Sequence, residues 1–244
     1  MNENILENKN CLITGATGGL GKQIAIELAK NNCNLFLTAR QNKKLEKLNG
    51  ELEKISKNNL IKYKHCNLQE TEELDSLIQK IRDEFSSIDI LVNCAGIFPV
   101  NPISQSTLEQ YDSCMNLNVR VPFVLSKEFS KDMIKNRWGR IVNIASSGAY
   151  NGLKNTAIYR SSKHALLGLS RSLHNELKEF NVRTFCISPG PIKTDMGKDI
   201  IKKENPNENY DTFMEPNEIA EFITFAISFD NNLISSEVRL GRIK

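Results

Sequence analysis

Two kinds of sequence block alternate along the chain. Short runs rich in apolar residues lie at 10–14, 33–38, 60–66, 88–93, 139–145 and 181–187. Runs of this length and composition are typical of strands buried on both faces of a parallel sheet. Between them, the amphipathic stretches 42–57, 70–85, 121–136 and 157–180 predict helices. The alternation of strand and helix predicts an α/β fold.

The pattern is less regular towards the C-terminus. Residues 195–215 are polar and rich in asparagine, so we predict a mobile substrate loop at about 191–215 that covers a binding site. Residues 216–229 predict a final helix, and 233–240 a last strand. With no repeat or linker, residues 1–244 are expected to form a single domain. Its predicted architecture is a doubly wound parallel sheet of six to seven strands, with helices on both faces and right-handed crossovers.

The amino-acid composition limits the classes of protein to which this chain can belong. Of the 244 residues, 40% are hydrophobic and 25% are charged, as in ordinary globular enzymes. The net charge of +3 is too small to indicate nucleic-acid binding, and no apolar run is long enough to cross a membrane. The first residues also lack the apolar core of a signal peptide, so we expect a cytoplasmic protein.

The cysteines and histidines give no sign of a metal site. The six cysteines are scattered without Cys-x-x-Cys spacing. The three histidines do not pair with them at the spacings of metal ligands. We therefore expect reduced, mostly buried cysteines and no catalytic metal.

A glycine-rich turn follows the first apolar run. The turn separates this run from a helical pattern and contains four glycines, Gly15, Gly18, Gly19 and Gly21. Glycine lets the backbone approach a phosphate closely, and a helix N-terminus directs N–H groups and positive dipole towards it. A strand, a glycine turn and a helix at the start of the chain therefore predict the phosphate site of a Rossmann-like dinucleotide fold.

The end of the second strand indicates which dinucleotide is bound. In NAD-binding folds, a carboxylate about 20 residues after the glycines holds the ribose 2′-hydroxyl. Here Arg40 follows the strand, and no acid is present. A guanidinium makes charge-assisted, bidentate bonds to phosphate, so we predict NADP(H) rather than NAD(H). The alternative interpretation is a surface arginine that opens the next helix.

Tyr159 and Lys163 are four residues apart in the longest predicted helix and so share one face. A fixed ammonium favours the phenolate, and such a pair can exchange a proton with a substrate oxygen near neutral pH. Moving a tyrosine pKa from about 10 to neutrality requires roughly 4 kcal/mol of differential stabilisation. The same spacing occurs by chance in many helices, so the interpretation depends on the rest of the chain.

Five sequence elements occur in the order and at the spacings of the short-chain dehydrogenase/reductase family, which the chain resembles from about residue 9 to residue 240. They are Thr14-Gly-x-x-x-Gly19-x-Gly21, Asn93-Cys-Ala-Gly96, Asn118, Ser146 thirteen residues before Tyr159, and Pro189-Gly190-Pro-Ile192-x-Thr194. The resemblance implies an enzyme that transfers a hydride between NADP(H) and a carbonyl or alcohol substrate.

The resemblance also implies roles for four residues. Tyr159 would be the general acid in carbonyl reduction and the base in the reverse direction. Lys163 would lower its pKa and bind the nicotinamide ribose. Ser146 would hold the substrate oxygen, with Ser147 as the alternative. Asn118 would anchor a water that relays protons towards Lys163, or would only stabilise its helix.

The cofactor site implied by the resemblance runs along most of the chain and includes two of the catalytic residues. Its members are Gly15, Thr17, Gly18, Gly19, Leu20, Gly21, Arg40, Asn67, Leu68, Asn93, Ala95, Gly96, Tyr159, Lys163, Pro189, Gly190, Ile192 and Thr194. Asn67 replaces an aspartate that touches the adenine in many members, and an asparagine still donates and accepts hydrogen bonds there.

Two segments depart further from the family pattern. Cys94 replaces the second asparagine of the Asn-Asn-Ala-Gly element. Near the C-terminus, Ser235-Ser236 and a single Gly241 stand where many members have a Thr-Gly pair and a double-glycine tail that packs between subunits. This puts the usual tetramer in doubt, and we expect either a homodimer or a homotetramer.

Substrate choice would come from the loops at 97–105, 147–156 and 191–215, where Phe98, Tyr150 and Met196 suggest an apolar pocket or ordinary packing. A 3-oxoacyl-acyl-carrier-protein reductase is one candidate, because Arg137 lies where such enzymes carry a basic residue for the acidic carrier. Against it, Phe180 replaces a second arginine. A dinucleotide-binding regulator without catalysis is the alternative class. The expected partner is a small-molecule or acyl-thioester carbonyl substrate, with no nucleic acid and no membrane.

Overall fold

Seven strands form one parallel sheet in the computed structural model, which describes residues 4–56, 59–204 and 209–243. The strand order is β3-β2-β1-β4-β5-β6-β7. The predicted α/β sheet is therefore confirmed, with the seventh strand present. The strands are β1 (Asn10–Thr14), β2 (Asn34–Ala39), β3 (Ile61–His65), β4 (Ile90–Asn93), β5 (Gly139–Ile144), β6 (Val182–Pro189) and β7 (Glu237–Leu240).

Helices connect the strands and cover both faces of the sheet. The predicted helix 121–136 agrees with the structure, whereas the predicted helix 42–57 ends at Leu52, and residue 57 lies outside the described ranges. The helices are α1 (Gly19–Lys30), α2 (Asn42–Leu52), α3 (Thr71–Glu84), α4 (Leu108–Met115), α5 (Val121–Asn136), α6 (Ala157–Leu177), α7 (Asp195–Glu204) and α8 (Pro216–Ser228). None of those in the described ranges combines the length and apolarity needed to cross a bilayer.

Residues 195–204 form helix α7, although the sequence predicted an irregular loop there. The Thr194 hydroxyl accepts a hydrogen bond from the Gly197 N–H at 3.1 Å at the start of this helix. A parallel bridge between Ile192 and Met214 joins the two ends of the predicted loop. Polarity misled the prediction because lysine and glutamate are good helix formers. Residues 205–208 of the predicted loop lie outside the described part of the chain, and its mobility stays a prediction.

Alternate residues of the strands pack into opposite layers. Cys11 and Ile13 of β1 belong to a core cluster that includes α1, α2 and α8. Leu12, between them, belongs to the cluster that includes α3 and α5. Burial on both faces explains the nearly continuous apolar runs of the sequence. The six cysteines are free thiols, and all except the partly exposed Cys94 are buried, as predicted.

The order of the strands produces a crevice. Because β1 lies between β2 and β4, the chain leaves the ends of β1 and β4 in opposite directions. In open parallel sheets, ligands bind at the carboxyl ends of the strands beside such a reversal. The site described below lies there.

Arg140 of β5 carries a fully buried guanidinium that connects the sheet to the segment after α8. Its Nε donates to the Ile227 carbonyl at 3.0 Å, and its Nη2 forms an ion pair with Asp230 at 2.7 Å. The Trp138 ring stacks on the same guanidinium, 4.3 Å from the ring centroid. Burial lowers the pKa of Arg140 to about 10, so the residue keeps its charge at neutral pH. Arg183 of β6 also lies 3.5 Å from Asp230, and the two arginines together hold the connection to β7.

Candidate active site

A cavity of about 560 Å³ lies at the carboxyl ends of the strands. All of the predicted site residues except Asn93 and Asn118 line it. These lining residues are Gly15, Thr17, Gly18, Gly19, Leu20, Gly21, Arg40, Asn67, Leu68, Ala95, Gly96, Ser146, Tyr159, Lys163, Pro189, Gly190, Ile192 and Thr194.

The glycine turn fits closely against its neighbours. Gly15 has a φ of +65°, and a Cβ there would lie 2.8 Å from the Ala95 Cα. A Cβ on Gly19 would lie 2.5 Å from the Thr194 Cγ2. A side chain at either position would therefore push apart the segments that enclose the cavity, and at Gly15 it would also strain the backbone.

The N-terminus of α1 is suited to a phosphate. The helix begins at Gly19, its N-cap Gly18 makes no side-chain cap bond, and the first turn contains no acidic residue. The N–H groups and the positive end of the helix dipole are thus not neutralised by the helix itself. Together with the glycine turn, these features fit the diphosphate of a dinucleotide.

Two cations border the far end of the cavity. Arg40 follows β2, is exposed, and makes no hydrogen bond or ion pair with the described residues. Lys44, one turn further along in α2, lines the same cavity, and the sequence analysis missed it. Its spacing of four residues from Arg40 was the available signal. Nearby, the Asn67 N–H donates to the Glu73 carboxylate at 2.8 Å.

Tyr159 and Lys163 lie in the first turns of α6 and face the cavity. Both are buried, with exposed fractions of 9% and 5%. The Lys163 Nζ donates to the Ile144 carbonyl at 2.8 Å and lies 5.6 Å from the centroid of the Tyr159 ring. The predicted helical face is therefore present, and its two functional groups lie beside the end of β5.

Burial dominates the ionisation of this pair. It raises the pKa of Tyr159 to about 12, against the opposing effects of a hydrogen bond with Ser146 and the charge of Arg160. It lowers the pKa of Lys163 to about 8. Lys163 is not among the groups that shift the pKa of Tyr159 here, so its predicted lowering of that pKa stays a prediction. The Tyr159 hydroxyl is protonated at neutral pH.

Ser146 is held by the turn that follows β5. Its hydroxyl accepts a hydrogen bond from the Gly148 N–H at 3.0 Å and caps the short 3₁₀ helix Ser147–Ala149. Ser147 lines the same cavity but is exposed. Because hydrogen bonding with Ser146 affects the pKa of Tyr159, the geometry favours Ser146 over Ser147 as the partner of the tyrosine.

Asn118 lies behind the cavity in a π-helical turn, Asn116–Arg120. Its side chain accepts from the Ile97 N–H and donates to the Ile97 carbonyl, both at 3.0 Å, and donates to the Ser162 hydroxyl at 2.9 Å. Pro122 has no N–H, so the Asn118 carbonyl cannot accept the ordinary helical bond from that residue. Asn118 therefore anchors the loop after β4 to α6, and its predicted water relay stays a prediction.

Asn93 and Thr14 hold the ends of β4 and β1 together. Asn93 is buried, outside the cavity lining, and donates to the Asn143 Oδ1 on β5 at 2.8 Å. The Thr14 hydroxyl accepts from the N–H groups of Cys94 and Ala95, both at 3.1 Å. Thr14 opens the glycine motif of the sequence, but the motif alone does not indicate this role. Asn93 is thus a supporting residue, not a lining one.

The rest of the cavity is mostly apolar. Phe98, Leu153, Met196 and Phe213 line it, and the Phe98 ring lies against that of Tyr159. Tyr150, which the sequence also suggested for this pocket, is not a lining residue of the cavity. Its ring instead packs under the Arg239 guanidinium, 3.4 Å from the ring centroid, and its hydroxyl lies 3.3 Å from Ser188 Oγ.

Comparison with known proteins accounts for this arrangement. A family model described as short chain dehydrogenase matches residues 9–205. The chain belongs to the short-chain dehydrogenase family. As a short-chain dehydrogenase, it is an oxidoreductase that acts on carbonyl or alcohol groups.

Relatives of this short-chain dehydrogenase match over nearly the whole chain. A 3-oxoacyl-acyl-carrier-protein reductase of Rickettsia bellii is 32% identical over 95% of this chain and 94% of that protein. The structure of levodione reductase has a TM-score of 0.87 and 25% identity, covering 96% of both chains. That of L-sorbose reductase from Gluconobacter frateurii, complexed with NADPH and L-sorbose, has a TM-score of 0.85 and 25% identity, covering 96% of this chain and 95% of the other.

Proposed function

We propose that this short-chain dehydrogenase is an NADPH-dependent reductase of a carbonyl compound. The observation that carries the proposal is the convergence of Ser146, Tyr159 and Lys163 in a cavity whose other end holds the glycine turn and Arg40. The glycine turn and the uncapped α1 N-terminus fit the diphosphate of a dinucleotide.

In the proposed reaction, bound NADPH supplies the hydride. The Tyr159 hydroxyl, protonated at neutral pH because burial raises its pKa to about 12, donates a proton to the substrate oxygen. The Ser146 hydroxyl holds the same oxygen and stabilises the negative charge that develops on it. Lys163 would bind the nicotinamide ribose when the cofactor is present. The Lys163 ammonium would also favour the deprotonated tyrosine that the proton transfer produces.

The preference for NADPH over NADH rests on the charge at the adenosine end. Arg40 has no protein partner among the described residues, and Lys44 borders the same space. A 2′-phosphate there gains charge-assisted hydrogen bonds from Arg40, which a 2′-hydroxyl does not. The NADPH bound to the similar L-sorbose reductase supports this choice.

A 3-oxoacyl-acyl-carrier-protein reductase is the second candidate, favoured by the relative from Rickettsia bellii. Arg137, at the end of α5, is exposed and donates one hydrogen bond to the Glu179 carbonyl at 3.1 Å, so its charge is available to an acidic carrier. Phe180 and Lys178 lie in the neighbouring 3₁₀ turn, where a second arginine was expected from the resemblance.

A homodimer or homotetramer in the cytoplasm is part of the same proposal. Exposed apolar side chains on the successive helices α4 and α5 support self-association, namely Leu108, Tyr111 and Phe123. Light scattering of the purified protein measures the mass. A monomeric mass at micromolar concentration would contradict the proposed assembly.

Turnover of a carbonyl panel tests the function. The purified protein is mixed with NADPH or NADH and with small ketones, oxo acids and their esters, or a 3-oxoacyl thioester on its carrier, and the absorbance of the reduced cofactor is followed. We expect NADPH-dependent reduction, and preference for the carrier-bound thioester would select the second candidate. Tight NADPH binding without reduction of any carbonyl would instead indicate a non-catalytic dinucleotide-binding regulator.

A further inference from the structure

Arg160, the residue after Tyr159, brings a positive charge to the substrate side of the cavity. Its Nε donates to the Thr156 hydroxyl at 2.9 Å, and its Nη1 donates to the Asn151 carbonyl at 3.0 Å and also contacts the Asn151 side chain. Its Nη2 has no hydrogen-bond partner, and its guanidinium no ion pair, among residues 4–56, 59–204 and 209–243. The guanidinium is thus held in place with donor capacity and charge left over.

The space next to this guanidinium is also the space next to Ser146. A Cβ built on Gly148 would lie 3.3 Å from the Ser146 Oγ and 3.6 Å from the Arg160 Nη1. The Ser146 hydroxyl and the Arg160 guanidinium therefore border one small volume, which stays open because residue 148 has no side chain. The Nη1 hydrogens are directed to Asn151, so the donor left for a ligand is Nη2. A molecule whose carbonyl oxygen bonds to Ser146 would bring its nearest substituents towards Arg160.

Among the described residues, the charges that line the cavity give Arg160 no counter-ion. Asp195 is the acidic residue among the lining residues, and it makes no ion pair with Arg160. Apolar side chains also line the cavity, among them Phe98, Leu153 and Phe213. The charge of Arg160 acts on the Tyr159 hydroxyl, because it lowers the pKa of this group and so opposes the effect of burial.

We infer that Arg160 binds a carboxylate of the substrate, which makes the substrate an oxo acid with an apolar chain. The inference rests on the proposed reductase function and names its substrate class. With hydrogen bonds of about 2.8 Å to Ser146 and to Arg160, the carboxylate is bonded directly to the ketone carbon or separated from it by one carbon, as in 2-oxo and 3-oxo acids. The apolar residues take the remaining chain, and the paired carboxylate neutralises the cation.

A purely structural role is the competing interpretation of Arg160. Its bonds to Asn151 and Thr156 fasten the loop before α6 to the helix, and this alone would explain its position. The two interpretations differ in one respect. A structural arginine affects all substrates alike, whereas a carboxylate-binding arginine affects an oxo acid more than its neutral ester.

Matched substrates and variants separate the two interpretations. Short and medium-chain 2-oxo and 3-oxo acids, each paired with its methyl ester, are assayed with NADPH against the parent, Arg160→Gln and Arg160→Lys. Arg171→Gln is the control, because Arg171 lies on the same helix, is exposed, and pairs with Glu237 outside the cavity. Thermal unfolding and NADPH affinity of each variant show that the fold and the cofactor site are intact.

We expect the parent to prefer the acid over its ester. In Arg160→Gln the ratio of kcat/KM for acid over ester falls about tenfold or more, the range for a lost hydrogen bond to a charged group. Arg160→Lys keeps part of the ratio, since it keeps the charge but loses the planar fork. Arg171→Gln leaves it unchanged. Taking the ratio cancels any effect of Arg160 on the pKa of Tyr159, which acts on both substrates.

Two outcomes separate failure of this inference from failure of the proposed function. Reduction of the esters at least as fast as the acids, or an acid-to-ester ratio unaffected by Arg160→Gln, overturns the inference and leaves the reductase function standing. If no carbonyl compound is reduced, the reductase proposal fails, and calorimetry with NADP⁺ present tests the anion site alone. The inference is overturned if the acids then bind no better than their esters. It is also overturned if the acids bind Arg160→Gln as well as they bind the parent.

Discussion

The ring of Phe98 lies against the ring of Tyr159, with centroids 3.9 Å apart and planes inclined by 43°. Phe98 therefore both fills space beside the reacting oxygen and helps to exclude water from the tyrosine. Phe98→Ala is expected to improve kcat/KM for bulky ketones relative to small ones, on the order of tenfold. Phe225→Ala, an exposed phenylalanine on α8, is the control and leaves this ratio unchanged.

The same variant tests the cause of the high tyrosine pKa. Burial is the largest cause of the shift to about 12, so admitting water in Phe98→Ala lowers the pKa of Tyr159 towards its ordinary value of 10.0. Carbonyl reduction needs the protonated hydroxyl, and its loss at high pH therefore begins at lower pH in the variant. An unchanged alkaline limit would show that Phe98 does not control hydration of the tyrosine.

Removing the hydroxyl tests the proposed acid. Tyr159→Phe is expected to lower kcat by about 10²–10⁴, the usual contribution of a positioned general acid. NADPH affinity should weaken by at most about tenfold, the value of one hydrogen bond. Tyr150→Phe is a matched control that loses the 3.3 Å contact with Ser188 outside the cavity lining. Steady-state rates comparable to the parent in Tyr159→Phe would remove the tyrosine from the mechanism.

Lys163 should make stability depend on pH in a defined direction. Its pKa falls from 10.5 to about 8 on burial, so below pH 8 folding buries an ammonium. Between about pH 8 and 10.5 the unfolded chain binds more protons than the folded one, and stability rises with pH. Lys163→Met lacks this pH-dependent contribution to stability. Its free energy of unfolding minus that of the parent should therefore be larger below pH 8 than above pH 10.5, by up to about 3 kcal/mol.

Urea unfolding of both proteins across this pH range measures the difference. Taking the difference between them cancels the titrating groups on which Lys163 has no effect. The Cys94 thiol, whose pKa burial raises to about 12, is not among these, because Lys163 lowers its pKa, so Cys94→Ser is introduced in both proteins. A difference that stays constant with pH would mean that Lys163 is not neutralised by burial. The same variant should bind NADPH more weakly than the parent if Lys163 also contacts the ribose.

Arg40 should decide between the two nicotinamide cofactors. Arg40→Gln is expected to lower kcat/KM for NADPH by about 10- to 100-fold, because charge-assisted bonds to a phosphate are lost. Activity with NADH should change little. Lys44→Gln should have a smaller effect in the same direction. If the parent itself prefers NADH, the proposed role of Arg40 is wrong.

Two helical glycines, Gly21 of α1 and Gly168 of α6, should differ in their tolerance of a side chain. In Gly21→Ala, the new Cβ would overlap the Gly15 carbonyl oxygen, so we expect a loss of several kcal/mol of stability or no folded protein. Gly168, exposed on α6, has no atom within 4 Å of the added carbon. Gly168→Ala should therefore raise the free energy of unfolding by about 0.5–1 kcal/mol. Thermal unfolding measures whether Gly21→Ala is less stable, and Gly168→Ala more stable, than the parent.

Most of the fold followed from the sequence because both faces of the sheet are buried. Continuous apolar runs such as 88–93 leave no alternative to a central parallel strand, and the glycine turn marks the first crossover. Helix α7 was missed for the opposite reason. Charged residues make up most of its sequence, and asparagine near residue 205 suggested irregular structure throughout.

The candidate site was predicted less completely from the sequence, because the spacing of residues does not show how deeply the fold buries them. Tyr159 and Lys163 share a helical face as predicted, but how deeply the fold buries them sets their pKa values. Asn93 matched a motif and proved to lie behind the cavity. Arg160 was visible in the sequence beside Tyr159, yet only the fold brings it to Gly148 and leaves it without a carboxylate.

Arg140 constrains the order in which this protein can fold during its synthesis. It lies in the middle of the sheet, yet its ionic partner Asp230 is ninety residues further along the chain. The Gly139 and Asn181 carbonyls also accept from its guanidinium, but the Ile227 and Phe229 carbonyls and the Asp230 counter-ion are made much later. Since burying a cation without its counter-ion is unfavourable, we expect burial of Arg140 to wait until α8 and Asp230 have been made. The enzyme is therefore expected to complete its active site late in translation, when one carboxylate arrives.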